Sequence, residues 1–229
     1  MSQDMLDVIR RRRTIRRFTG EEVSEKQIET LLEMAMCAPS RLNRQPWHFV
    51  VIRDQGLLKQ LADLVRLHPY IETASAVIAV CGSPEASPTW IMDLSAAAEN
   101  MCLAATAMGL GAAWVGSPDS ILWDLCEETL HDALAIPPGI RIPSLVAVGY
   151  PAEEPPPHGK HDRFDRTKVH YGSWDELKFG LTARSPQSRT SLFGFGGRRH
   201  YNTTIRGARK RHWPCWMDGT LTALVSLVG

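Results

Sequence analysis

Residues 91–108 read IMDLSAAAENMCLAATAM, apolar or small almost all the way round a helical wheel. A helix of that kind has little to offer water and belongs at the centre of a domain rather than on its surface. The chain must therefore pack other elements around it, and Gly109 and Gly111 mark where it stops. At 229 residues, 44% hydrophobic and 22% charged, there is material for one globular domain with a sizeable core and room for an appendage. Disorder throughout is excluded.

The elements on either side alternate between helix and strand. Residues 3–13 read as a helix with Leu6 and Ile9 on one face, running into the basic Arg10, Arg11, Arg12 and Arg13. A second helix starts at Ser24, whose hydroxyl caps it while Gln27 reaches back, ahead of Ile28, Leu31, Leu32 and Ala35; it stops before Pro39. Residues 47–53 (WHFVVIR) are rich in aromatic and β-branched side chains and read as a strand, followed by a helix bearing Leu57, Leu58, Leu61, Leu64 and Val65. Short strands are expected at 76–81, 112–115 and 142–148, with a helix over about 120–134. Residues 153–158, with Pro155, Pro156 and Pro157 together, continue neither element and are expected as an extended surface arm.

Charge divides the chain. Residues 181–229 hold eight of the 26 Arg and Lys but only one of the 25 acids, Asp218, so this part carries +7 and residues 1–180 carry −6. After Gly180 hydrophobic periodicity also disappears. The expected organisation is a folded domain over 1–180 and a basic, disordered tail over 181–229. No start segment joins a basic stretch to an apolar run and cleavage site, and nothing approaches the ~18 apolar residues of a membrane span, so a cytoplasmic location is expected. Cys37, Cys81, Cys102, Cys126 and Cys215 form no C-x-x-C pair and read as free, mostly buried thiols.

Four places have side chains suited to chemistry, and each also has a plain structural explanation. Arg12-Arg13-Thr14-Ile15-Arg16 places guanidinium forks beside a hydroxyl, a set able to hold a phosphate dianion; a run of like charge is equally a solvated face. In residues 38–47, Ser40, Asn43 and Gln45 offer hydroxyl and amide groups to a heteroaromatic ring between Pro39 and Pro46, or form an ordinary turn. Gly109, Gly111 and Gly116 around Trp114 and Val115 allow close backbone approach to a ligand, or cap a helix. Arg163 follows the proline arm and on its own is surface decoration.

Several classes lack their signatures. There is no G-x-G-x-x-G after a strand, no G-x-x-x-x-G-K-[ST] loop and no G-x-S-x-G elbow. The eight histidines are scattered, and His158 with His161 has no further ligand at a suggestive spacing, so no metal site is expected. The basic tail invites an RNA-binding reading, which a solvated tail explains as well; nucleic acid is not the expected partner.

Taken together and in order, these segments resemble the nitroreductase family of FMN enzymes. Arg12-Arg13-Thr14-Ile15-Arg16 is similar to that family's R-R-S-x-R, and Ala38-Pro39-Ser40 with Asn43-Arg44-Gln45-Pro46-Trp47 to its A-P-S-x-x-N-x-Q-P-W. The glycine-tryptophan stretch and Arg163-Phe164-Asp165 support the match, which covers about residues 4–177 and leaves the tail without a counterpart. Resemblance implies an α+β fold, a mixed β-sheet flanked by helices, and an interlocked homodimer with FMN at the interface and residues 91–108 in the intersubunit core. It implies that Arg12 and Arg163 hold the FMN phosphate, that Arg13 and Thr14 line the cofactor, and that Arg16 lies on the pyrimidine side. Pro39, Ser40, Asn43 and Gln45 would come from the partner subunit, and a backbone N–H of Val115 or Gly116 would face flavin N5.

By the same resemblance NADH or NADPH passes a hydride to the flavin, then leaves, and a nitroaromatic, quinone or similar small acceptor takes it in a ping-pong cycle. No side chain need act as acid or base. A cation near flavin N1 favours the reduced form, which makes Arg16 the candidate tuning residue. Thr14 departs from the commoner Ser but keeps the hydroxyl, whereas Arg41 puts a long cation where a small residue is usual. The short 84–89 region argues against the alternative of a dehalogenase or flavin-fragmenting relative with a long lid. A non-catalytic flavin-binding protein is the alternative from another class.

Overall fold

The computed structural model describes residues 4–64, 69–117, 120–172 and 174. The expected boundary at 180/181, the disordered tail and Cys215 lie outside these residues. Helix α1 spans Met5–Arg11, α2 Glu25–Met36, α3 Gln55–Leu64, α4 Trp90–Ala107, α5 Ile121–Leu134 and the short α6 Lys160–Arg163. Strands β1 Trp47–Ile52, β2 Ala76–Gly82, β3 Gly111–Val115 and β4 Arg141–Gly149 form one sheet in the order β1-β2-β4-β3.

Every pairing among these four strands is antiparallel, where a mixed sheet was expected. Strands β2 and β3, joined through α4, are not neighbours. Instead β4 returns between β2 and β3 and pairs antiparallel with both. Parallel pairing is confined, among the described residues, to an isolated bridge between Thr14 and Ala112 on the far side of β3.

Alternation along the central strands builds two cores. Val77, Ala79 and Cys81 of β2 face α3 and α5 with Leu145 and Ala147 of β4. Ala76, Ile78 and Val80 face α2 and α4 with Val146 and Val148. Strands buried on both faces read as unbroken apolar runs, which is why β2 and β4 show no polar alternation. Ser24 caps α2 as expected: its Oγ accepts from the Gln27 N–H while Gln27 Oε1 accepts from the Ser24 N–H at 3.0 Å.

Two expectations are corrected. Leu94, Ala97, Ala98, Met101, Cys102 and Ala105 of α4 are buried, their small side chains letting α2 and the sheet approach closely, but Met92 is 71% exposed and Ile91 43%. One flank of the helix is therefore left uncovered by the described residues. In α1 the buried residue is Val8; Leu6 and Ile9 are exposed, since α1 rests on α4 through another face. Cys81, Cys102 and Cys126 are buried free thiols, each pushed up by burial, to about 12, about 12 and about 11, while Cys37 is exposed.

Gly111 opens β3 where no side chain fits. A Cβ there would stand 2.7 Å from Ile15 Cγ2 and 2.8 Å from Ile15 Cβ, both on a stiff β-branched side chain. Gly111→Ala is expected to cost about 1–3 kcal/mol of stability by overpacking. Thermal melts check this; an unchanged Tm would show that the 12–16 segment moves freely off β3.

Candidate functional site

The opening arginines are placed by the end of α1. Arg12 leaves helical geometry, its N–H donating to the Val8 carbonyl at 2.8 Å, and the chain continues extended along the free edge of β3. Ile15 N–H donates to Ala112 O at 3.0 Å. Alternation then buries Ile15 against Gly111 and leaves Arg16 outside, with Thr14 partly covered.

The proline arm runs back along this segment and brings the two ends of the described chain together. Phe18 bridges Pro151, Ala152 N–H donates to Arg17 O at 2.8 Å, and Glu153 Oε1 accepts from Arg16 N–H at 2.6 Å and Arg17 N–H at 3.2 Å. The Arg13 guanidinium donates to Pro156 O, and His158 N–H to Arg10 O at 2.9 Å. With no N–H of their own, the prolines keep the arm from pairing as a regular strand, and side chains fasten it instead.

As a result Arg12 and Arg163 line the same open cavity of about 680 Å³, with Arg10, His158, Glu99 and Phe164 among its other walls. Arg163 Nε donates to His158 Nδ1 at 3.2 Å. Desolvation, then the charges of Arg163, Arg13 and Arg12, lower the His158 pKa, so the ring is neutral near pH 7 and accepts rather than repels. Arg12 Nε lies 3.6 Å from the Glu99 carboxylate, a long, half-exposed pair. Arg10, Arg12 and Arg163 on the walls of one cavity open to solvent give it a cationic lining that suits a phosphate dianion.

The other expected residues occupy separate places. Arg13 lines a neighbouring cavity of about 700 Å³ under the arm. Arg16 sits over the Tyr70 ring, 5.8 Å from its centroid, beside a cavity of about 560 Å³. Burial pushes the Tyr70 phenol up, outweighing the lowering by Arg16. Val115 is buried, while Gly116 lines a small cavity of about 190 Å³ with Trp114 and Ile91; a Cβ at Gly116 would lie 2.6 Å from Pro143 O.

Residues 38–45 form a tight loop between α2 and β1. Ser40 Oγ accepts from Gln45 N–H at 3.0 Å and Asn43 Oδ1 from Gln45 Nε2 at 3.2 Å. Leu42, Asn43 and Gln45 hold φ of 51°, 55° and 47°, a region that side chains other than glycine rarely adopt. Strain of this kind collects at functional sites. Among the described residues, none of Pro39, Ser40, Asn43 or Gln45 lines the cavity shared by Arg12 and Arg163 of the same chain.

Sequence reasoning missed Glu99, Glu153 and Asp93, the last a 6% exposed carboxylate beneath the loop. The model of the Nitroreductase family matches residues 9–83 and 67–150. The chain belongs to the nitroreductase family. These matches contain Arg12, Arg16, the 38–45 loop and Gly116; Arg163 lies beyond them.

Among nitroreductases it is 36% identical over 176 residues to a protein of Archaeoglobus fulgidus named, provisionally, NADH dehydrogenase/NAD(P)H nitroreductase, covering 75% of this chain and 99% of that one. A provisional nitroreductase of Desulfovibrio desulfuricans, solved in complex with FMN, is similar at 35% identity and TM-score 0.60, covering 67% of this chain and 90% of that one. An FMN-dependent nitroreductase of Clostridium difficile R20291 superposes with TM-score 0.69 at 26% identity, covering 73% and 99%. Among the described residues of this nitroreductase-family chain, no helix is long and apolar enough to cross a membrane.

Proposed function

We propose that the chain is an FMN-dependent NAD(P)H oxidoreductase whose active form is a homodimer. The observation that carries this reading is the convergence of Arg12 and Arg163, from opposite ends of the described chain, on one open cavity. The donor set fits the cofactor's phosphate: two guanidinium forks supply charge-assisted hydrogen bonds, Arg10 adds charge, and neutral His158 braces Arg163. Arg13 and Thr14 line the neighbouring surface, and Arg16 supplies the cation that favours the reduced, negatively charged cofactor. Bound FMN supplies hydride acceptance from NADH or NADPH and hydride donation to a nitroaromatic, quinone or similar acceptor.

A second copy of the chain completes the site. The Pro39, Ser40, Asn43 and Gln45 loop is tightly built yet, among the described residues, does not line the cavity shared by Arg12 and Arg163 of its own chain, and it presents Leu42 at 78% exposure. Leu6 and Ile9 of α1, Met36 of α2 and Ile91 and Met92 of α4 are exposed, on α4 and the two helices that pack against it. An apolar surface of this kind is supported as a subunit interface. A backbone N–H at Val115 or Gly116 then faces the hydride-carrying position.

Initial rates with varied NAD(P)H and acceptor test the reaction order. Parallel double-reciprocal lines are expected, and intersecting lines would overturn the ping-pong cycle. A non-catalytic flavin protein would show no NAD(P)H oxidation beyond a single turnover. Glu99 opposes the phosphate, so Glu99→Gln is expected to tighten FMN binding by roughly 0.5–1 kcal/mol, the size of a half-exposed charge contact. Weaker binding in a fluorescence titration would mean that Glu99 orients Arg12 instead of competing for it. Deleting residues 181–229 is expected to leave FMN content and turnover unchanged, with equal specific activity as the check.

A further inference from the structure

We propose that Asp93 is the positioning residue that sets the 38–45 loop, and through it the half of the cofactor site that one subunit lends to the other. The proposal rests on the reading that FMN binds between two copies of the chain. Asp93 is one of two acids in the 91–108 run and the only one that is buried, 6% exposed in the first turn of α4. A buried carboxylate persists where hydrogen bonds replace its water, and this one collects them from two segments of the chain, residues 87–89 and the 38–45 loop.

Ser87 Oγ donates to Asp93 Oδ2 at 2.7 Å, and Thr89 Oγ1 lies 3.2 and 3.3 Å from its two oxygens. Both hydroxyls belong to the turn that leads into α4. The third donor is the Arg41 backbone N–H, 3.2 Å from Oδ1, inside the loop itself. Arg44 fastens the loop to the same turn from outside, Nη1 donating to Ala86 O at 3.0 Å. Arg41 stands between Ser40 and the left-handed run Leu42, Asn43 and Gln45. Such a run holds only when its surroundings over-determine it. Ser40 Oγ closes the loop from within, and Asp93 closes it from the core.

Asp93→Asn keeps the shape but replaces one accepting oxygen by an NH2 donor. FMN affinity, followed by quenching of flavin fluorescence, is expected to fall about tenfold, the effect of losing one hydrogen bond to a charged group. Arg41→Pro makes the same test without touching the core. Arg41→Ala, which removes the side chain but keeps the N–H, is the control expected to leave affinity unchanged; Arg41→Pro removes the N–H as well, at a place where Ser40, extended at φ −138° and ψ 155°, tolerates a following proline. A comparable fall is expected.

Hybrid dimers, one subunit carrying Asp93→Asn and the other Arg12→Ala and isolated through two different tags, provide a readout that a purely structural role would not move. If the loop serves the partner's site, one of the two sites combines an intact Arg12 with an intact loop, and the hybrid binds one FMN per dimer at wild-type affinity. A hybrid with no wild-type site would overturn the proposal, because each defect would then act on its own chain's site. Wild-type affinity in both the Asp93→Asn and Arg41→Pro homodimers would overturn it as well. Failure of the wild type to bind FMN, or full retention by Arg12→Ala, would instead remove the reading on which the proposal rests.

Discussion

With Arg12 and Arg163 both changed to alanine, the protein folds but emerges from purification without FMN. Hydrogen bonds to a charged group contribute about 1.5–3 kcal/mol each. Two that grip one dianion are coupled and do not simply add. Affinity is therefore expected to fall by about a hundredfold or more, at 1.4 kcal/mol for each factor of ten. Stability should hardly change, because neither side chain is deeply buried and the Arg12–Glu99 contact of 3.6 Å is a long surface pair. Flavin absorbance per chain after dialysis reads the first effect and circular dichroism the second. Full flavin content in a folded double variant would place the phosphate elsewhere.

The second large effect is on stability and comes from the opposite side of the sheet. Glu127 of α5, 7% exposed, receives both prongs of Arg141, Nε at 2.7 Å and Nη2 at 2.9 Å, and the Ile142 N–H at 2.8 Å. It thus ties α5 to the start of β4, the strand that fills the centre of the sheet. Glu127→Ala leaves a buried N–H and a guanidinium unmatched. Breaking a buried pair costs about 3–5 kcal/mol, and the partial exposure of Arg141 brings the expectation to about 3 kcal/mol. In a domain of this size that lowers Tm by about 6–12 °C.

Its pH dependence follows from the direction of the Glu127 shift. Burial pushes the carboxyl up, but Arg141, the Ile142 N–H and His131 together hold it below the ordinary 4.5. A depressed folded pKa contributes stability that is full above the unfolded value and is lost as pH falls through the folded one. The gap in stability between wild type and Glu127→Gln should therefore be complete at neutral pH and close in acid below 4.5. A constant gap across that range in urea titrations would show that Glu127 acts through shape alone.

Much of this architecture could be read from the chain before any coordinates. Local signals were sufficient where one residue type carries one geometry: Ser24 and Gln27 did form the capping box, and the apolar runs did become β1, β2, β3 and β4. Pairing could not be read in the same way, because β4 inserts between β2 and β3 and strand order is a long-range choice. The 91–108 helix shows a related limit. Apolar periodicity says that a face is to be covered, but not whether by the same chain or by a copy of it.

The candidate site divides along the same line. Arg12 and Arg163 could be named from their motifs, yet their meeting depends on the arm that Glu153, Pro156 and His158 tie to residues 10–17, through contacts remote in sequence. Asp93 carries a signal in the sequence as well: a carboxylate in the first turn of a helix otherwise built for burial must find donors. Ser87 and Thr89, just before that helix, were candidates for them. Arg41 could not have been found this way, since the atom that matters is its backbone N–H and any residue but proline supplies one.

The proposed cycle requires above all that the chain carry a flavin that NAD(P)H reduces. An anaerobic absorbance spectrum of the purified protein, taken before and after adding NADH and then NADPH, tests it directly. A flavin band near ~450 nm is expected, bleaching with at least one nucleotide and returning when a quinone or nitroaromatic is added. A colourless protein that cannot be reconstituted with FMN, or a flavin band that neither nucleotide bleaches, would contradict it.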